Sequence, residues 1–161
     1  MIRYAEKLQI VPVWAPQVST VADSETTHIK LKNVQHLSFL VQYGAMATDT
    51  SDSGTILLYS STAASTAGAV AQTFKYRLCE AVGGDTWGAI TTATAAGVTV
   101  ANTDDNKALL IDVDPSEILK LDSNANFVHL LIDCSLMTGV YLSAAAIIEP
   151  RYPQNDNLST T

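Results

Sequence analysis

The sequence predicts an all-β chain: an antiparallel β-sandwich or barrel, with one short helix near residues 114–121. Apolar residues alternate with polar ones in five separate segments, the period of a half-buried strand. Gly, Asn, Asp and Ser gather between those segments, where tight turns need them. Only one stretch carries a set of helix-start signals.

Residues 1–26 read as an extended N-terminal arm or an edge segment. Pro12 and Pro16 remove ladder donors, which disfavours an inner strand. Ile10, Val11, Val13 and Trp14 are nevertheless too apolar for a disordered tail. They are predicted to be covered, either by a partner, another copy of the chain included, or by the chain's own sandwich. Residues 27–152 form the sandwich domain, and residues 153–161 a polar C-terminal tail.

Within the domain, "HLSFLVQY" places Leu37, Phe39, Val41 and Tyr43 on one face, with His36, Ser38, Leu40 and Gln42 on the other. "GTILLYSS" is apolar on both faces, the mark of a central or covered strand. Residues 60–71 are almost wholly Ala, Ser, Thr and Gly and read as a long loop. In "TFKYRLCE", Phe74, Tyr76 and Leu78 point inward, and Lys75, Arg77 and Cys79 outward. "ALLIDVD", "FVHLLIDC" and "VYLSAAAII" supply three further alternating strands. Weaker strands are expected at 7–13, 27–32, 55–60, 86–91 and 97–101. In "DPSEILKL", Asp114 is the N-cap, Pro115 suits the first helical position, and Glu117 gives a capping-box-like pattern.

A chain of 161 residues is one domain with room for a real core. Only 16% of its residues are charged, against about 25% in ordinary globular chains. A surface of small uncharged residues reads as contact surface. The net charge of −7 and the lack of a basic stripe exclude nucleic acid as the expected partner. The longest apolar run is too short for a membrane helix, and the start lacks the apolar core of a signal peptide. Synthesis in a cytoplasm and no membrane partner are therefore expected.

Reactive groups are sparse. No phosphate-binding Gly loop, metalloprotease helix, nucleophile elbow or Cys pair motif occurs. His28, His36 and His129 have no ligand spacing, and His36 and His129 fall on the polar phase of their strands, so they read as surface imidazoles. The Asp49/Asp52 and Asp104/Asp105 groups are turn chemistry before they are cation ligands. Cys134 reads as core and Cys79 as an outward thiol beside Lys75 and Arg77, with no disulfide between them. Trp87, between glycines, is either an anchor on a partner or a cap over the core end. The expectation is a non-enzyme with no catalytic residue, no metal and no cofactor. Its partner contacts are Ile10, Val11, Val13, Trp14 and Trp87.

The segments "THIKLKNVQHLSFLVQYGAM", "GTILLYSS", "AVAQTFKYRLCEA", "DTWGAITTATAAGVTV", "ALLIDVDPSEI", "FVHLLIDCS" and "VYLSAAAIIEPRY" carry a resemblance. In their order, over roughly residues 26–152, the chain resembles the small jelly-roll-like capsid decoration (cement) proteins of tailed bacteriophages. The resemblance implies a virion structural protein on the outer capsid surface. Its partners would be the major capsid protein and other copies of itself, as dimer or trimer. A host- or carbohydrate-binding module, or a head–tail or tail component, is the alternative.

Overall fold

The computed structural model describes residues 7–19, 23–45, 53–136 and 139–152. The Asp49/Asp52 turn and the 153–161 tail lie outside them. Two antiparallel sheets pack face to face. One sheet runs in the order β1 (Gln9–Val18), β12 (Tyr141–Pro150), β4 (Val34–Tyr43), β10 (Ala108–Val113), β7 (Phe74–Leu78), β8 (Thr91–Ala93). The other runs β2 (Ser24–Glu25), β11 (Phe127–Leu136), β5 (Ser53–Ser61), β6 (Val70–Gln72). β3 (Ile29–Lys30) also pairs with β11, and β9 (Val98–Ala101) with β5. We call these sheets A and B. From β9 onward the chain changes sheet at every connection, in the manner of a jelly roll.

The period-two pattern places the core. Leu37, Phe39 and Val41 of β4, Leu109 and Ile111 of β10, and Ala144, Ala146 and Ile148 of β12 face inward from sheet A. Ile56 and Leu58 of β5 and Val128, Leu130, Ile132 and Cys134 of β11 meet them from sheet B. Each fully buried large side chain contributes about 1.5–3 kcal/mol. β5 is central, as its two apolar faces predict.

Helix α1 (Pro115–Leu121) carries the β10–β11 crossover. Asp114 caps it, its side chain accepting from the Ser116 N–H at 2.8 Å. Hydrogen bonding from the Ser116 side chain and backbone holds the Asp114 carboxyl below the ordinary carboxylate range. Glu117 turns instead toward Lys75, 3.9 Å away. Ile118 plugs the core.

The small-residue stretch after Trp87 is shorter in strand than expected. Trp87 makes only an isolated bridge to Cys79, and β8 begins at Thr91. The chain then turns at residues 94–97 to pass from sheet A to sheet B. Gly97 has φ +82°, and a Cβ there would sit 2.5 Å from the Ile56 carbonyl oxygen. Backbone runs against backbone at this point, so no larger residue fits.

Within the N-terminal segment, β1 lies at the edge of sheet A. β1 pairs with β12, with irregularities flanking Trp14. Val13 is consequently 4% exposed and belongs to the core. Its carbonyl accepts the Thr27 N–H at 3.0 Å and so ties the edge of sheet A to sheet B. Deleting residues 1–16 removes that plug and that tie. With about 3–5 kcal/mol lost, and about 2–4 °C per kcal/mol for a chain of this size, the melting temperature should fall by on the order of 10 °C. An unchanged melt would mean that the segment is not part of the fold.

Candidate functional site

Two surfaces hold residues that could act. The first is the outer face of sheet A, and strand register defines it. Ile10, Ile147, Ser38, Asp112 and Lys75 lie side by side across five strands. The next row is Pro12, Ala145, Leu40, Leu110 and Arg77. A third is Ser143, Gln42 and Ala108. These side chains point away from the core, because their strand neighbours are the buried ones. Ile10 is 63% exposed, and Tyr141, further along β12, is 66% exposed. Beside Leu110 a groove of about 360 Å³ is lined by His36, Ser38, Lys75, Arg77, Ile90 and Asp112. In it the His36 Nε2 and the Ser38 hydroxyl both meet the Asp112 carboxylate. The face is apolar at its β1 end and charged at its β7 end.

The second surface is a histidine pocket on the outside of sheet B. Glu25 stands opposite Leu131, and Ile29 opposite Val128. Four steps from β2 to β3 thus match three along β11. The extra residue is a β-bulge, which re-aims a side chain. Thr26 closes its near end: its N–H donates to the Leu130 carbonyl and its hydroxyl accepts the Leu130 N–H, both at 2.9 Å. Thr27 is held by the Val13 carbonyl. His28 is thereby turned over His129, with ring centroids 4.1 Å apart. Tyr59, directly across from His129 on β5, stacks on its ring at 5.7 Å.

His129 is completely buried, and neither of its ring nitrogens has a hydrogen-bond partner among the described residues. The buried Nε2 of His28 likewise has none. Each such atom costs about 1–3 kcal/mol when left unmet. Burial, and secondarily the charge of His28, push the His129 imidazole down to about 4. Burial also lowers His28, against the opposing pull of the Glu25 carboxylate. Burial thus favours the uncharged form of both rings. Glu25, His28 and His129 present ligand atoms within 4.8 Å of one another. A cavity of about 210 Å³ opens beside them, lined by Glu25, Tyr59, Thr66, Ala69, His129 and Leu131.

The predicted contact residues do not come together. Ile10 lies on the outer face of sheet A, whereas Val11 and Trp14 pack half-buried against the core. Val13 is inside and cannot touch a partner. Trp87 is half-buried at the end of β7. Two expectations are corrected. His129 is not a surface imidazole, because Tyr59, His28 and the 62–69 loop enclose the outer side of its strand. Cys79 is not outward: β7 ends at Leu78, and the following turn folds back so that the thiol meets the Ala81 carbonyl at 3.0 Å. Asp104 does serve a turn, pairing with Lys107 and accepting the Ala101 N–H at 3.2 Å.

No protein-family model matches the chain, and no curated protein matches its sequence.

Cys79 and Cys134 are free and buried, and burial pushes the Cys134 thiol up to about 11. In native buffer a chromogenic thiol reagent should therefore label neither within minutes. Both should react at once in denaturant. Rapid labelling of the folded protein would contradict this burial.

Proposed function

We propose that the chain is a non-enzymatic virion structural protein that binds the outer surface of an assembled phage capsid and stabilises it. The observation that supports this most is the outer face of sheet A. Four strands present Ile10, Pro12, Ile147, Ala145, Leu40 and Leu110 on one outward face, with Ser and Gln between them; Ile10 is well exposed, and Ile147, Ala145, Leu40 and Leu110 are half-buried. Small and apolar groups lose little side-chain entropy in a contact and carry no charge to desolvate. That surface fits a flat, repeating partner better than a small ligand.

Size sharpens the reading. Strands about 4.8 Å apart and rows about 7 Å apart give a patch of roughly 20 by 14 Å. A stable two-body interface needs about 800 Å² from each partner. One chain on one site would thus hold weakly. Several copies linked to one another on a regular lattice gain the rest by avidity. This is why the partners we propose are the major capsid protein together with other copies of this chain. Lys75 and Arg77, at the charged end of the face, suit acidic groups on the shell.

The test is co-sedimentation with shells stripped of the protein. Ile10→Glu combined with Leu110→Glu should weaken binding at least tenfold while the melt and circular dichroism stay native. Val70→Glu, an exposed change on the edge of sheet B, should bind like the parent. Native affinity in the folded double variant would rule out this face.

A further inference from the structure

We propose that Glu25, His28 and His129 form a binding site for one divalent transition ion of the zinc type, with an open coordination position toward the adjoining cavity. The site lies on sheet B, away from the proposed contact face, and does not depend on that reading.

The chemistry of the donors selects the ion. Two imidazoles and one carboxylate make a borderline set, which suits zinc and its neighbours and not the all-oxygen preference of calcium or magnesium. Three protein ligands with a fourth position left to water or a small molecule is the pattern of an open zinc site.

Geometry supports it at each residue. Ligand atoms of a tetrahedral ion at about 2.1 Å lie roughly 3.4 Å apart. The three here already lie within 4.8 Å, so small side-chain rotations close the set. His129 comes from the middle of β11 and is fixed by Tyr59 stacked against it. His28 is aimed by a β-bulge held at Thr26 and Thr27. Glu25, at the end of β2, is exposed and has the freedom to swing in. The independent sign of a ligand is His129 itself. It is wholly buried with both ring nitrogens unmet among the described residues, and it borders the cavity. A sandwich that needed only packing at this position would be served by an apolar residue. An imidazole facing a second imidazole and a carboxylate is what a cation requires.

The cavity of about 210 Å³ gives the fourth position room for water or a small anion. Thr66 and Ala69 on its wall belong to the small-residue loop after β5. Short side chains there keep the approach open. Binding would therefore clamp β2, β3 and β11 together and fasten the region where β1 is tied to sheet B.

The full chain, freed of metal with a chelator, is titrated with Zn²⁺ in competition with a chromophoric chelator. Co²⁺ is added separately to read coordination from its visible absorption. One equivalent per chain should bind, with a rise in melting temperature and intense Co²⁺ bands of a four- or five-coordinate ion. Ca²⁺ and Mg²⁺ should give no shift. His28→Ala and Glu25→Ala, both changes outside the core, should each weaken Zn²⁺ at least tenfold and abolish its effect on the melt. His36→Ala, which removes the imidazole paired with Asp112 on sheet A, should leave uptake unchanged. Near-ultraviolet circular dichroism confirms that each variant is folded. The proposal is overturned if Zn²⁺ shows no saturable binding, or if folded His28→Ala and Glu25→Ala bind it like the parent.

Discussion

Everything in this molecule rests on the face-to-face packing of β4, β10 and β12 against β5 and β11. Two sheets about 10 Å apart leave room for one interdigitated layer of side chains. Phe39, Ile111 and Ile148 from one side and Ile56, Leu130 and Ile132 from the other fill it without exposure. Because strand side chains alternate, committing one set inward commits the other set outward. The composition of the two outer faces is therefore where the protein is free to specialise.

It specialises them differently. Sheet A carries a strip that is apolar on β1 and β12 and charged where its rows reach Asp112, Lys75 and Arg77. Sheet B carries a covered polar cluster, closed over by Tyr59, the β2–β3 bulge and the 62–69 loop. The link between them is β1. It supplies Ile10 and Pro12 to the outer face of sheet A, drops Val13 into the core, and fixes Thr27 beside His28. An edge strand with two prolines thus connects both surfaces. Its prolines also lack the N–H that a regular ladder uses.

The fold was legible because period two is a local signal. Leu37, Phe39, Val41 and Tyr43 announce their face within one segment, and all four are buried. So does the Asp114–Pro115 start of the helix. The sheet-A face was legible in part: Leu40 stood out as apolar on a polar phase, but its alignment with Ala145 and Leu110 depends on register between distant strands. The histidine pocket was hidden. His28 and His129 are far apart in sequence and meet only through a one-residue bulge, which leaves no spacing pattern. His129 sits on the phase that ordinarily faces water, and only the fold reveals that this side is covered. Cys79 was misplaced for a similar reason, since alternation ceases once the strand ends at Leu78.

The proposed capsid contact sets sheet A against the shell and leaves sheet B free of it. Hydroxyl-radical footprinting reads it directly, by comparing free chains with chains bound to intact capsids. Protection of Ile10, Leu40, Leu110, Tyr141 and Ile147 is expected, with Val70 on the edge of sheet B labelled equally in both states. Protection centred on Val70 and the 62–69 loop, with the sheet-A face still labelled, would contradict it.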